Sequence, residues 1–280
     1  MTNAERVALT ADAEKEEQPG VEQRSVSEQY SDTELSSKQD VIAAEVPVAF
    51  TYNGQSHAVM MASPLDLHDF AIGFSLTERI VDDPTQIQHI EINQAPQGYA
   101  VNLQIGAELI DRLDQQRRQM SGRSGCGICG ISDLAAAIPK LEPLSDQAKK
   151  PSHEVIAAAI ERFQQNQTLQ QQCGSVHCAG LFNQHGELLL LREDIGRHNA
   201  LDKLIGASLA TEKNGIQPGD FLVLSSRASH ELITKTVIAG VSTLVSISAA
   251  TTLAIDIAKQ LNLNLVGFVR GDRQMVYHQN

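Results

Sequence analysis

The chain has 280 residues, 42% of them apolar, with 4% aromatic side chains, no Trp and a formal charge of -12. That size suits one large globular domain or two modest ones. The acidic charge argues against a phosphate-backbone binder, and the scarcity of aromatics argues against a stacking platform for single strands. No stretch approaches the roughly 18 apolar residues of a membrane helix, so neither nucleic acid nor a membrane is expected as a partner. No basic and apolar leader opens the sequence. The expected compartment is the cytoplasm, where a CxxC pair points to metal or redox chemistry before a structural bridge.

Residues 1–44 read as a disordered acidic arm: positions 1–40 carry ten acids against four Lys or Arg and few large apolar side chains. Order is expected from about Val46. There Asn53-Gly54 separates two apolar runs, a hairpin signal. Ser63-Pro64 then reads as an N-cap and first helical residue of a helix ending near Ile80. Strands over IQHIEI and YAVNLQI follow, then a helix from Ala107 to Met120 and a short helix over Ile131–Ile138. Residues 45–150 are expected to form an N-terminal α+β subdomain that ends in the cysteine loop. Residues 152–172 read as one long helix. After Cys178 come a hairpin around Asn183–Gly186 and a regular alternation of apolar strands with helices beginning near His198, His230 and Thr251, closed by the strands LNLVGFV and MVYH. This alternation predicts a sheet covered on both faces over residues 151–280.

Two of the four cysteines, Cys126 and Cys129, lie in the stretch SGRSGCGICG. Arg112, Arg117, Arg118 and Arg123 precede the pair, a helix N-terminus is expected after it, and glycines flank it. Positive charge and a helix dipole both favour the nucleophilic thiolate. The residues favour a reactive thiol that works by nucleophilic transfer. Structural zinc remains an alternative, drawn from Cys126, Cys129, Cys173 and either Cys178 or His177, although the second half has unusual spacing. A dithiol redox centre and an incidental pair are further alternatives. Cys173 and Cys178 read as a helix-end residue and a buried small hydrophobe.

Ligands of open α/β sheets bind beyond the carboxyl ends of the strands. Here those ends read REDIGRH, SSRASH, SAATT and RGDR. Small residues, hydroxyls and Arg197, Arg227, Arg270 and Arg273 make an anion-binding crevice plausible on composition. His198, His230, Glu193, Asp194 and Asp256 read as structural.

Several of these stretches occur together in one known family. GCGICG, SPLDLHDFAIGFSLTERI, EDIGRHNALDKLIG, SSRASHELITKTVIAGV and SAATTLAIDIAKQLNLNLVGFVRGDR resemble the FdhD family of formate dehydrogenase accessory sulfurtransferases, over about Val46 to His278. The resemblance implies an α/β (α+β) fold: a cytidine-deaminase-like three-layer C-terminal domain with the smaller N-terminal subdomain. It does not bring deaminase chemistry, since the H-x-E and P-C-x-x-C zinc signature is missing. It implies a persulfide received from a cysteine desulfurase and delivered to the Mo- (or W-) bis-molybdopterin guanine dinucleotide of a formate dehydrogenase catalytic subunit. Cys126 matches the sulfur-bearing cysteine and Cys129 its neighbour. Phe268, Val269, Arg270, Gly271, Asp272 and Arg273 match a cofactor-contacting stretch. A homodimer and no resident metal ion are expected. The competing reading is a cofactor-binding chaperone for a molybdoenzyme, either zinc-stabilised or independent of its thiols.

Overall fold

A computed structural model describes residues 19–31, 34–110, 113, 140–145, 150–209, 215–271 and 273–280. Cys126, Cys129, the arginines ahead of them, the short helix expected after them and Asp272 lie outside the described residues, as does most of the helix expected over Ala107–Met120, of which Ala107–Leu109 form a 3-10 turn.

The N-terminal part is built on a four-stranded sheet, in the order β4 (Gln55–Ala62), β3 (Val46–Tyr52), β6 (Gly98–Ile105), β5 (Ile87–Ala95). Asn53 and Gly54 both adopt positive φ and form the two-residue turn between β3 and β4. The Asn53 amide also exchanges hydrogen bonds with Ile105, its Nδ2 donating at 2.9 Å and its Oδ1 accepting at 2.8 Å, which locks β3 beside β6. Alternate residues Val48, Phe50, Tyr52, Val101 and Leu103 point inward and pack on Phe70 and Phe74 of helix α1 (Leu67–Thr77).

The C-terminal part is a six-stranded sheet in the order β12 (Arg273–His278), β11 (Asn264–Arg270), β10 (Thr243–Ser246), β9 (Phe221–Leu224), β7 (His177–Phe182), β8 (Leu188–Asp194). Leu222, Leu224, Leu244 and Leu265 bury against helices α4 (Arg197–Leu209), α5 (His230–Ile238) and α6 (Thr252–Gln260). Phe221, Val223, Val245 and Val266 bury on the other face against α2 (His153–Gln165). Every core strand is thus apolar on both sides, and the expected three-layer arrangement is present. Cys178 lies in the α2-side core, as expected of a small hydrophobe.

The two parts meet where α1 crosses α4. A Cβ on Gly73 would sit 1.7 Å from the Asp202 carbonyl oxygen, and one on Gly206 would sit 1.9 Å from that of Asp69. Only glycine allows these backbones to approach so closely. Around the crossing, polar pairs are sealed from water. The Asp194 carboxylate accepts from the Ser63 N–H and hydroxyl, both at 3.0 Å, from the Gly196 N–H at 2.8 Å and from Asn199 Nδ2 at 2.9 Å. Its salt bridge to Lys203 is 2.7 Å long, with both side chains fully buried. Asp202 accepts from Thr77 Oγ1 at 2.7 Å and from Lys235 Nζ at 2.9 Å, and Lys235 also reaches Glu78 at 3.1 Å. Burial opposes the Lys235 charge, but the Asp202 and Glu78 carboxylates more than offset it and hold the ammonium above its ordinary value. Arg192 grips Asp69 of α1 through Nε at 2.8 Å and Nη2 at 2.6 Å.

Three local expectations need correction. Residues 21–43 are not a disordered arm: β1 (Val21–Glu28) and β2 (Ser36–Ala43) pair antiparallel over eight positions. Apolar content is low there, so the ladder, a Lys38–Glu28 salt bridge and docking at the base do the work. At that base Ala44 donates to the Gly20 carbonyl, and Gly20 lies against Leu65 and Leu169. Ser63 does not cap α1; its donors are taken by Asp194, and the helix starts after Asp66, which is left-handed with φ 52°. The long helix over 152–172 breaks at Asn166–Gln167 into α2 and α3 (Thr168–Cys173). The Glu193 carboxylate makes this break, accepting from the Leu169 and Gln170 N–H groups at 2.8 Å each.

Gly206→Ala is expected to force the two helices apart, costing about 2 kcal/mol or more and lowering the melting temperature by roughly 5 °C; differential scanning calorimetry measures it. Lys235→Met leaves Asp202 buried without its cation and is expected to cost about 3–5 kcal/mol, read from the urea midpoint.

Candidate functional site

β7 is antiparallel to both β8 and β9, so β8 points the same way as the parallel strands β9, β10 and β11. Helices α4, α5 and α6 follow β8, β9 and β10, and their N-termini therefore open on the same edge of the sheet. Backbone bonds tie the strand-end turns together: Ile247 N–H to the Leu224 carbonyl, Ala228 N–H to that of Ala249, Thr251 N–H to that of Ala228, and Phe268 N–H to that of Ser248.

A cavity of about 240 Å³ lies at this edge, lined by Arg197, Arg227, Ser229, His230, Glu231 and Thr251. These residues open α4 (Arg197), α5 (Ser229, His230, Glu231) and α6 (Thr251). Three helix N-termini and two arginines thus border one space, which favours an anion there. The Thr251 hydroxyl caps α6, accepting from Ala254 N–H at 3.3 Å. Ser229, at the corresponding position of α5, makes no such bond, and its buried Oγ has no hydrogen-bond partner among the described residues.

One carboxylate interrupts this positive lining. Glu231 Oε2 lies 2.6 Å from His198 Nε2. The close approach of the His198 imidazole outweighs partial burial and holds the Glu231 carboxyl below its ordinary value. His177 opens β7 at the same edge, with Nδ1 3.3 Å from Ser225 Oγ. Burial, with Arg197 and His198 nearby, pushes its imidazole below its usual value.

The structure separates residues that the sequence grouped. Arg197 and Arg227 line the cavity. Arg270 and Arg273 pair across the β11–β12 turn, where Gly271 takes φ 53°, and neither lines it. Phe268 adopts φ 51° at a bulge and is exposed, while Val269 is buried. Phe268 ties this stretch to the strand-end turns, its N–H donating to the Ser248 carbonyl. His230, read as structural, lines the cavity; so does Glu231, which the sequence reading passed over because an acidic residue in a helix's first turn is commonplace. Burial pushes the Cys178 thiol far up, with Glu193 adding to the effect, so it is inert as a nucleophile. Cys173 lies half-buried at the end of α3, donating to the Leu169 carbonyl. Among the described residues no group of three or more His, Cys, Asp or Glu could hold a metal ion, and no helix is long and apolar enough to cross a membrane.

The sequence profile of the FdhD/NarQ family matches residues 43–280, which includes the whole of both large sheets and every strand-end turn around the cavity. The chain belongs to this family. It is 46% identical over 244 residues to a Cupriavidus necator protein named "Sulfur carrier protein FdhD", covering 87% of this chain and 84% of that one. A Bordetella bronchiseptica protein of the same name is 42% identical, covering 87% of each. The fold is shared with a solved structure from Desulfotalea psychrophila, assigned as a formate dehydrogenase accessory protein: the TM-score is 0.70 at 23% identity, over 92% of this chain and 97% of that one. The β1–β2 hairpin lies almost wholly ahead of the family match.

Arg227→Ala and Arg197→Ala are each expected to weaken binding of inorganic pyrophosphate by roughly tenfold or more, the value of a lost charge-assisted hydrogen bond. Titration calorimetry of the full chain checks this.

Proposed function

We propose that this protein is a sulfur carrier that accepts persulfide sulfur from a cysteine desulfurase and sulfurates the bis-molybdopterin guanine dinucleotide cofactor of a formate dehydrogenase. Here that cofactor is substrate, not a resident group. The name of its relatives, sulfur carrier protein, supports the carrier role. The carrying structural observation is the convergence of three helix N-termini, Arg197 and Arg227 on one cavity. That lining suits a substrate with two pyrophosphates. In this reading Phe268, Val269, Arg270, Gly271, Asp272 and Arg273 contact the same substrate from the neighbouring strand end.

In the loading step the Cys126 thiolate attacks the outer sulfur of the donor's persulfide. A new S–S bond forms on Cys126, the donor's S–S bond breaks, and the donor cysteine leaves as thiolate. In this reading Cys129, three positions further along the sequence, assists release. Loading is assigned to the 126–129 pair by the resemblance of GCGICG to the family's sulfur-bearing loop, and the burial of Cys178 is in keeping with that assignment. The reading also assigns action in the cytoplasm, where thiols remain reduced, and a homodimer.

After incubation with a cysteine desulfurase and cysteine, mass spectrometry is expected to find one added sulfur on the peptide holding Cys126 and Cys129. Cys126→Ala is expected to abolish the gain and the activation of formate dehydrogenase. Full activation by Cys126→Ala would overturn the reading in favour of a thiol-independent chaperone, and one zinc per chain surviving dialysis would favour a zinc-stabilised one.

A further inference from the structure

A cavity meant for a bare anion would not contain a carboxylate, yet Glu231 is part of the lining beside Arg197 and Arg227. An acid in the first turn of a helix ordinarily serves its own helix end. Glu231 is instead turned toward another helix, its Oε2 lying 2.6 Å from His198 Nε2 of α4. Its side chain is 34% exposed, so it is open to a ligand rather than sealed in the protein. A carboxylate only accepts hydrogen bonds. To pyrophosphate or sulfate it offers repulsion alone. To a ligand with hydroxyl or amine donors beside its phosphates it offers a charge-assisted hydrogen bond. His198 engages Oε2, and Oε1 is left to accept that bond.

We propose that Glu231 determines specificity: it accepts a hydrogen bond from a ribose hydroxyl of the nucleotide whose phosphates lie against Arg197 and Arg227. The cavity then selects a ribonucleoside diphosphate over an inorganic anion. This rests on the anion-binding reading above and adds a property that reading does not require. A guanosine nucleotide has donors in two places, the ribose hydroxyls and the N1–H and 2-amino edge of the base. Position favours the ribose. Glu231 is two residues from Ser229, in the first turn of the same helix whose N-terminus borders the cavity. The ribose is bonded directly to the phosphates, whereas the base edge is the far end of the nucleotide. Size agrees, because the cavity of about 240 Å³ is smaller than the roughly 300–1,000 Å³ of pockets that enclose a whole drug-sized ligand. It suits phosphate and sugar, with the base outside. Dinucleotide-binding folds use the same pairing, an acidic side chain accepting from a ribose hydroxyl near a helix N-terminus that holds the phosphates.

The test is titration calorimetry of the full chain, at one pH and one salt concentration, with five probes: pyrophosphate, GDP, its 2′-deoxy and 3′-deoxy analogues, and inosine diphosphate, which lacks the 2-amino group. The wild-type chain is expected to bind GDP roughly tenfold more tightly than at least one deoxy analogue, the value of a lost charge-assisted hydrogen bond. Glu231→Ala is expected to bring that ratio to about one. The same variant is expected to bind pyrophosphate at least as tightly as the wild type, since a repulsive charge has gone, and this binding also shows that it is folded. A wild-type chain that binds GDP and both deoxy analogues equally would overturn the proposal without any substitution. So would a ratio that survives in Glu231→Ala. Discrimination against inosine diphosphate alone, lost in Glu231→Ala, would place the carboxylate on the base edge and overturn the ribose assignment. In each of these cases pyrophosphate binding leaves the anion-binding reading intact. Absence of pyrophosphate binding to the wild-type chain would overturn that reading and the proposal with it.

Discussion

The distance between α1 and α4 is set by two glycines, Gly73 and Gly206, whose missing Cβ atoms leave room for the facing carbonyls. The Asp194–Lys203 and Asp202–Lys235 pairs beside this approach are almost wholly removed from water. The ionised groups enclosed there must be paired or hydrogen-bonded, since an unpaired buried charge is strongly destabilising. The last three residues of β8 meet this demand with consecutive side chains: Arg192 holds α1, Glu193 starts α3, and Asp194 holds Ser63 and Lys203. One strand end therefore joins the N-terminal sheet, the α2–α3 layer and the large sheet.

The same strand end feeds directly into α4, and so into the cavity. Gly196 N–H and Asn199 are fixed on Asp194, with Arg197 and His198 between them. Lys235, which ties α5 to Asp202 of α4, lies one helical turn beyond Glu231. The first turns of α4 and α5 are thus held at a fixed spacing by buried charge pairs, and the cavity between them is preformed before any anion arrives. Such preorganisation lowers the ordering cost of binding.

Much of this was legible in the sequence where local pattern decides structure. The alternation of apolar strands and helices after Cys178, the Asn53-Gly54 turn and the polar strand ends each carry their own signal, and the motif-level resemblance reached the family. What escaped was decided by partners distant in the chain. Ser63-Pro64 has the form of a helix cap, but its hydroxyl binds a carboxylate 131 residues away. No glycine or proline marks the break at Asn166–Gln167, because the residue that makes it, Glu193, lies on β8. The β1–β2 hairpin is poor in apolar side chains and is stabilised chiefly by its backbone ladder, which composition does not register. Asp194 was read as structural and is so; His230 had the same reading and lines the cavity, a difference that depends on which way the α5 N-terminus faces.

The crossing of α1 and α4 also bears on how the chain assembles. Asp69 meets Arg192 across 123 residues, and Ser63 meets Asp194 across 131. During synthesis the N-terminal sheet and α1 emerge long before α4, and α1 must wait with its glycine face uncovered. Contacts this distant in sequence slow folding and leave apolar surface open to aggregation in the interval. The joint that two glycines make so tight in the finished molecule is thus one that cannot close until α4 has been made.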